Sequence, residues 1–237
     1  MKNKVALITG ASGGIGTAVS QELSRRGYRL SLLSRRIPPQ ESNHTLAQQC
    51  DITRVDAVNR AVSNTIDKFG RIDVVVNCAG RSHLGTVDEV TPQDIEMVYD
   101  VNVRGTVNVS KAVLPFMKEQ GSGYIINIGS LRGVYYGVGK SAYAMSKSAV
   151  IAFSRILAME AQEYGIKVTV INPGFVDTNI YGGVQLRPYV QSIPGNNLRR
   201  APITQPRDVA RTILYLLDLS PGANVEELNI GRLWGLE

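Results

Sequence analysis

Tyr143 and Lys147 stand four residues apart in the sequence and could together carry acid–base chemistry. On a helix the two residues share a face, and the lysine charge can then lower the pKa of the phenol from its ordinary value of about 10. A phenol tuned in this way can act as both acid and base near neutral pH. Because an ordinary solvated helix face produces the same spacing, the meaning of the pair depends on its surroundings.

Ser130 supplies those surroundings. It precedes Tyr143 by thirteen residues and follows an apolar run, residues 124–129, that is typical of a buried strand. Sites of open α/β sheets form where such strands end, so we expect Ser130 to lie beside Tyr143 at the mouth of a sheet. The three residues predict a centre that reduces a carbonyl or oxidises an alcohol.

A glycine-rich turn near the start of the chain predicts a nucleotide site. Residues 4–9 form an apolar strand, the turn carries Gly10, Gly14 and Gly16, and a helix follows to about residue 26, closed by Gly27. Glycines allow the backbone to turn tightly and approach a pyrophosphate, while the start of a helix offers unpaired N–H groups to it. A plain glycine-rich turn is the alternative, but the first strand–helix junction is where a doubly wound sheet binds its nucleotide.

Charges after the second predicted strand, residues 29–34, indicate which dinucleotide is bound. A fold that prefers NAD places an acidic residue about twenty positions beyond the glycine turn. Here no Asp or Glu occurs between Glu22 and Glu41, and Arg35 is the first residue after the strand. We therefore predict that Arg35 meets a 2′-phosphate and that the cofactor is NADP, the alternative being that Arg35 and Arg36 are merely solvated.

The next segments continue the alternation of strands and helices. No helix is predicted for residues 37–45, where a crossover connection would normally carry one. A short third strand covers residues 47–50, and a helix follows over residues 54–69 with Thr53 or Asp51 as its N-cap.

A central buried strand, residues 72–76, ends in Asn77-Cys-Ala-Gly80, whose small residues would let a cofactor lie against the backbone. Thr91 then caps a helix that begins with Pro92 and runs past Asn102 to about residue 118. Asn102 is flanked by valines, which predicts that it faces inward and needs a hydrogen-bond partner.

The last third of the chain completes a sheet. The helix of Tyr143 ends at Gly165, a strand covers residues 167–171, and a final helix and strand cover residues 206–217 and 225–230. Residues 179–202, rich in Gly and Pro, are expected to form a substrate lid. The order of elements predicts an α/β fold with a doubly wound parallel sheet, helices on both faces, and one domain over residues 1–237.

Composition excludes several other classes of protein. The chain has 237 residues, 43% of them hydrophobic, and a formal net charge of +6, but no run of Lys or Arg exceeds two residues and no nucleic-acid motif occurs. We therefore expect no nucleic-acid partner. No stretch is long enough for a membrane span or a signal sequence, so a cytoplasmic location is expected. Two cysteines and two histidines match neither a zinc spacing nor a disulfide framework, so no metal is expected.

Together these motifs resemble the classical short-chain dehydrogenase/reductase family over essentially the whole chain: Thr9-Gly-Ala-Ser-Gly-Gly-Ile-Gly16, Asn77-Cys-Ala-Gly80, Asn102, Ser130, Tyr143-Ala-Met-Ser-Lys147 and Pro173-Gly174. The resemblance implies a Rossmann fold, an NAD(P)(H) cofactor and a catalytic set of Asn102, Ser130, Tyr143 and Lys147, with Asn102 holding a water that passes protons to Lys147. It also implies cofactor contacts at Gly10, Ser12, Gly14, Ile15, Gly16, Arg35, Asp51, Ile52, Asn77, Ala79, Gly80, Tyr143, Lys147, Pro173, Gly174, Val176 and Thr178. Family members commonly form dimers and tetramers, so a homo-oligomer, and in particular a homotetramer, is expected.

Three departures from the family pattern stand out: Cys78 replaces an Asn, the helix after the second strand is nearly absent, and the chain ends in an unusual Leu- and Trp-containing tail. The substrate is expected to be a small carbonyl compound or alcohol, and a 3-oxoacyl thioester is a specific alternative. A cofactor-binding sensor or scaffold without turnover is the alternative from another class. Arginines among the expected wall residues, including Arg132 and Arg187, suggest a substrate with an anionic or polar end.

Overall fold

A computed structural model of the protein describes residues 4–37, 40–178, 180 and 203–231. An eight-stranded sheet lies at the centre of the fold. Its strands are β1 (Val5–Thr9), β2 (Arg29–Ser34), β3 (Gln40–Glu41), β4 (Thr45–Gln49), β5 (Val74–Asn77), β6 (Gly123–Ile128), β7 (Ile166–Pro173) and β8 (Glu227–Ile230). The helices are α1 (Gly14–Arg25), α2 (Val55–Phe69), α3 (Pro92–Tyr99), α4 (Gly105–Gln120), α5 (Ser141–Ala161) and α6 (Pro206–Asp218).

The strands lie in the order β3-β4-β2-β1-β5-β6-β7-β8, and all neighbouring pairs are parallel except β3 with β4. The chain leaves β1 in one direction and returns to place β5 on its other side, so the direction of winding reverses between β1 and β5. The predicted Rossmann-like, doubly wound α/β fold is confirmed, and an antiparallel edge strand is added to it.

Helices cover both faces of the sheet because side chains alternate along each buried strand. On β1, Ile8 packs into a cluster that includes Leu23 of α1 and Ile213 of α6. Leu7, the preceding residue, points to the opposite face and joins a cluster that includes Val58 of α2 and Leu157 of α5. The strands are therefore apolar on both sides, as parallel strands covered by helices must be.

The connection between β2 and β4 contains β3, which forms an antiparallel hairpin with β4. β3 runs back along the outer edge of β4, pairing Glu41 with Leu46, and Ser42 closes the turn by accepting hydrogen bonds from the backbone N–H groups of His44 and Thr45. The described residues of this connection, 37 and 40–44, contain no helix, as predicted, but β3 was not predicted and β4 begins two residues before the predicted strand. A two-residue strand leaves too short an apolar pattern to be seen in the sequence.

Several predicted helix ends are confirmed. Gly27, Gly70 and Gly165 follow helical segments and have left-handed backbone conformations, as predicted for residues that end helices. Thr91 caps α3, and its hydroxyl accepts a hydrogen bond from the backbone N–H of Asp94. The predicted cap of α2 was wrong: Arg54 is the N-cap, while the Asp51 carboxylate is engaged locally with Thr53.

The helix predicted to run continuously from Thr91 to about residue 118 is interrupted. Residues Asp100–Arg104 form a π-helical segment, in which the N–H of Gly105 donates to the carbonyl of Asp100. Segments of this type hold one extra residue per turn and often occur at functional sites. Here the segment contains Asn102, which is fully buried.

Two predicted features fall outside the described residues. The expected lid, residues 179–202, lies there except for Ile180, and so does the tail with Leu233, Trp234 and Leu236. Among the helices of the described part of the chain, none has the length and apolar character that crossing a bilayer requires.

Candidate active site

Ser130, Tyr143 and Lys147 line one cleft at the carboxyl end of the sheet, which contains about 830 Å³ of space. Ser130 follows β6 and caps a short 3-10 turn, Leu131–Gly133, where its hydroxyl oxygen accepts a hydrogen bond from the N–H of Arg132 at 3.1 Å. Tyr143 and Lys147 lie on the first turns of α5. The structure thus brings together the three residues in which the sequence predicted acid–base chemistry.

The phenol of Tyr143 is shaped by two opposing effects. Burial raises its pKa, because a phenolate would lose its hydration, and a hydrogen bond with the Ser130 hydroxyl lowers it by a smaller amount. The net direction is upward. The sequence predicted a lowered pKa for this phenol, whereas in the cofactor-free site the pKa is raised because burial is the largest effect.

Lys147 is itself affected by burial. Its side chain is 3% exposed, and loss of hydration lowers its pKa from 10.5 to about 8. The amino group donates a hydrogen bond of 2.7 Å to the carbonyl of Ile128 at the end of β6. It lies 5.8 Å from the centre of the Tyr143 ring. The lysine is consequently fixed under the cleft and titrates close to neutral pH.

Asn102 fulfils the prediction that it faces inward and is hydrogen-bonded. Its side-chain oxygen accepts from the N–H of Arg81 at 2.7 Å, and its amide nitrogen donates to the carbonyl of Arg81 at 2.8 Å. The same nitrogen donates to the hydroxyl of Ser146 at 2.9 Å. Asn102 therefore joins the loop after β5 to α5.

Ser146 is a site residue that the sequence did not reveal. It is fully buried, lies next to Lys147, and its hydroxyl donates to the carbonyl of Tyr143 at 2.7 Å while accepting from Asn102. A serine on a helix usually bonds back to its own helix, so only the position of Asn102 across the loop gives it this second role.

A second cleft, of about 650 Å³, opens where the winding of the sheet reverses. Gly10 lies at its base with φ 63°, and a Cβ added there would stand 2.7 Å from the Cα of Ala79. Only glycine permits the two backbones to approach this closely. The predicted cofactor residues that line this cleft are Gly10, Ser12, Arg35, Asp51, Ile52, Ala79 and Gly80.

Ser12 and Ser34 share a hydrogen bond of 2.6 Å between their hydroxyl groups, which joins the glycine turn to the end of β2. Arg35 follows directly, and its carbonyl accepts from the side chain of Gln49 on β4. The turn and the first arginine after β2 are therefore held together on one wall of the second cleft.

The first cleft contains the other predicted cofactor residues. Ile15, Pro173, Gly174, Val176 and Thr178 line it together with Tyr143 and Lys147. Cys78 and Gly80 line both clefts, so the two form a continuous path along the carboxyl ends of the strands. An elongated ligand fits such a path better than a compact one.

Three predicted cofactor residues line neither cleft. Gly14 begins α1 and lies against Thr178, and Gly16 lies against the carbonyl of Gly10, where a side chain would collide with it. Both allow the start of α1 to pack closely. Asn77 instead points into the sheet, where its amide donates to the side chain of Asn127 at 2.9 Å.

The side-chain oxygen of Asn77 has no hydrogen-bond partner among the described residues, although it is buried. Asn127 in turn donates to Ser154 of α5 at 2.8 Å. Asn77 therefore takes part in a polar layer beneath the site. Its sequence motif could not distinguish this position from one facing a cofactor.

Cys78, where the family pattern has Asn, occupies the junction of the clefts. Burial raises the pKa of its thiol to about 12, against a smaller lowering by Lys147, so the thiol is protonated at neutral pH. Cys50 and Cys78 are both free. In the part of the chain that the structure describes, no three His, Cys, Asp or Glu side chains are grouped as a metal site requires.

Similarity to known proteins agrees with this geometry. The profile of a family described as short chain dehydrogenase matches residues 4–187. An uncharacterized oxidoreductase of Staphylococcus epidermidis is 32% identical over 239 residues, covering 97% of both chains. The solved structure of a 3-ketoacyl-(acyl-carrier-protein) reductase from Brucella melitensis complexed with NADH is 26% identical with a TM-score of 0.85, again covering 97% of both chains. The structure of ElxO with NADP bound is 28% identical with a TM-score of 0.85 and 98% coverage of both chains.

The buried lysine makes a prediction about stability. The lowered pKa of Lys147 means that the folded chain must accept a buried ammonium below pH of about 8, and this cost disappears as pH rises toward 10.5. Lys147→Met removes the charge. We expect the free energy of unfolding of this variant to exceed that of the parent by more at pH 7 than at pH 10.5, so that the variant gains stability at the lower pH.

Urea unfolding of the cofactor-free proteins across this pH range measures the difference. Lys140 also has a lowered pKa, but its contribution to the pH dependence is the same in both proteins and drops out of the difference. The control is Lys111→Met, which removes an exposed lysine of α4 whose ammonium stays in water in both states. A difference for Lys147→Met that does not change with pH would show that burial does not set the pKa of Lys147.

Proposed function

The chain belongs to the short chain dehydrogenase family and is an oxidoreductase, and from that premise we propose that it interconverts a carbonyl and a secondary alcohol with NADP(H). The observation that carries the proposal is the joint presence of Ser130, Tyr143 and Lys147 on one wall of a cleft that continues into a second, glycine-floored cleft. Substrate and cofactor would each occupy one part of this path.

The fit of a dinucleotide is supported by the backbone of the second cleft. A side chain at Gly10 would collide with the backbone of Ala79, and the first N–H groups of α1 have no partner within the helix. Ser12 and Arg35 would hold the phosphate-bearing end of the cofactor, while Pro173, Gly174, Val176 and Thr178 would hold the nicotinamide end. The bound cofactor supplies the hydride or accepts it.

The chain's own residues would handle the substrate oxygen and its proton. In reduction, the Ser130 hydroxyl binds the carbonyl oxygen, and Tyr143 gives that oxygen its proton. The raised pKa of Tyr143 favours this role because it keeps the phenol protonated at neutral pH. When Lys147 is protonated, its charge stabilises the phenolate that remains.

Asn102 would belong to the path that returns the proton. A Cβ added to Gly80 would stand 3.5 Å from the side-chain oxygen of Asn102 and 3.7 Å from the amino group of Lys147, so both groups border the same backbone position. This proximity supports the assignment of Asn102 to a water-mediated path that ends at Lys147.

The preference for NADP rests on Arg35, since the similar structures include one complex with NADH and another with NADP. Arg35 lines the second cleft beside Ser34, and the lining residues between Leu33 and Arg35 include no acid to receive the ribose hydroxyls of NAD. Asp51 also lines the cleft, but its carboxylate already binds the hydroxyl and N–H of Thr53.

Two other functions are alternatives to this proposal. Similarity to a 3-ketoacyl reductase favours including a 3-oxoacyl thioester among the test substrates. A catalytically silent sensor or scaffold would bind NADPH without oxidising it in the presence of any carbonyl. The complete set of Asn102, Ser130, Tyr143 and Lys147 supports turnover.

Tyr143→Phe tests the reaction. We expect the variant to bind NADPH, followed by the fluorescence of the cofactor, but to lose at least about 100-fold in kcat, because it has no proton to give. Activity is the loss of NADPH with a panel of ketones, aldehydes and one 3-oxoacyl thioester. Tyr215→Phe, which alters an exposed tyrosine of α6, is the matched control and should leave kcat unchanged. Equal turnover by parent and Tyr143→Phe would remove Tyr143 from the mechanism.

Arg35→Ala tests the choice of cofactor. A hydrogen bond to a charged group contributes about 1.5 to 3 kcal/mol, which is roughly a 10- to 150-fold preference. We expect the ratio of kcat/KM for NADPH over NADH to fall by that factor in the variant, and Arg60→Ala on α2 to leave it unchanged. A parent that prefers NADH, or a ratio that survives the loss of both Arg35 and Arg36, would contradict NADP specificity.

The expected homo-oligomer, a dimer or a tetramer, is supported by α5. Its residues Met145, Ile156 and Met159 are 44%, 55% and 72% exposed, and apolar side chains at such exposure favour burial against another surface. Light scattering at micromolar concentration should give a multiple of the 25.8 kDa chain mass. A mass of one chain would contradict the proposal. A cytoplasmic location stays a prediction from the sequence.

A further inference from the structure

We propose that the substrate of this site is an oxo acid, or in the reverse direction a hydroxy acid, whose carboxylate binds Arg132. The proposal rests on the proposed function and narrows its substrate class. In reduction the ketone gains a hydride from NADPH and a proton from Tyr143, its C=O becomes a C–OH, and NADPH becomes NADP⁺. The carboxylate takes no part in the exchange and serves only to hold the molecule.

Arg132 is placed next to the reacting groups by the chain itself. It follows Ser130 by two residues, and its backbone N–H donates to the Ser130 hydroxyl oxygen at 3.1 Å. Its side chain lines the same cleft as Ser130 and Tyr143. A substrate whose carbonyl oxygen meets Ser130 therefore has Arg132 within the same cleft as a partner for its other end.

The charge of the cleft favours an anion. Its described lining contains two basic side chains, Arg132 and Lys147, and no aspartate or glutamate. The guanidinium of Arg132 donates to the carbonyl of Tyr136 at 3.3 Å and lies 5.8 Å from the centre of the Phe175 ring. Within the described residues, none of the ion pairs involves Arg132. Toward the described residues, most of its N–H groups make no hydrogen bond, and a planar, bidentate partner such as a carboxylate would suit them.

A second cation stands near Arg132. Lys140 is 4% exposed, and its pKa is lowered to about 8, first by burial and then by the charge of Arg132. The effect of Arg132 on the pKa of Lys140 shows that the two positive charges lie close enough to interact.

A purely structural role is the competing explanation for Arg132. Its side chain covers Gly137, where an added Cβ would stand 2.5 Å from Nη1, and it holds the carbonyl of Tyr136. An arginine that only fixed this loop would affect charged and neutral substrates equally. The two explanations are therefore separated by the charge of the substrate.

The experiment compares 4-oxo to 7-oxo carboxylic acids with their methyl esters, using NADPH and the full-length protein. In the parent we expect kcat/KM for the best acid to exceed that for its ester by about 10-fold or more.

Arg132→Gln should lower kcat/KM for the acid by about 10- to 150-fold, mainly through KM, and change kcat/KM for the ester by less than about 3-fold. Arg132→Lys should retain part of the preference for the acid over the ester, because lysine keeps the positive charge but lacks the two parallel N–H donors of the guanidinium. Arg60→Gln, an exposed arginine on α2, is the matched control and should change neither substrate.

A parent that reduces the ester as well as the acid, or an Arg132→Gln variant that loses both equally, overturns the inference and leaves the proposed function intact. If no ketone is reduced, the proposed function fails and with it the assignment of an oxo acid as substrate, and binding then decides only whether Arg132 holds a carboxylate. Calorimetry on the NADPH complex should show that heptanoate binds, that heptanamide does not, and that Arg132→Gln abolishes heptanoate binding. Equal binding of the two ligands, or no binding of heptanoate, overturns the proposal.

Discussion

The buried amide of Asn102 holds three parts of the chain in one arrangement. Because it is fully shielded from water, each of its polar atoms must find a partner in the protein, and leaving one unpaired would cost about 1–3 kcal/mol. It finds them in the backbone of Arg81 and the hydroxyl of Ser146. Ser146 lies between Tyr143 and Lys147 on α5, so this side chain ties the acid–base pair to the loop after β5, which the backbone bond from Gly85 to Gly139 also joins to the start of α5.

A second polar group fixes the sheet under the site. Asn77 and Asn127 are register partners at the ends of β5 and β6, and their side chains are hydrogen-bonded to each other. Polar pairs are uncommon inside a sheet that is mostly aliphatic on both faces, and they favour one register over all others. Since Gly80 follows one strand and Ser130 the other, the register of the two strands also sets how far each of these residues stands along the strand direction.

Features decided by neighbouring residues were predicted from the sequence, and features decided by tertiary packing were not. The glycine turn and the bounds of β2 follow from local chemistry, and the structure agrees with both. β3 exists only because β4 offers it a partner, and no local sequence signal marks the π-helical segment inside an otherwise helical pattern. The pKa of Tyr143 depends on how much of the folded chain covers it, which its spacing from Lys147 does not reveal. Asn77 belongs to a motif of cofactor-binding loops, yet its side chain turns inward.

The π-helical segment also bears on how this chain can change over generations. Each residue of a helix turns it by about 100°, so losing one residue among Asp100–Arg104 would convert the wide turn to an ordinary one and rotate everything beyond it. Either the amide of Asn102 or the apolar side of α4 would then face the wrong way. Loops such as the hairpin at Ser42 can lengthen or shorten with little penalty. In this segment the structure therefore constrains the number of residues, in addition to which residues they are.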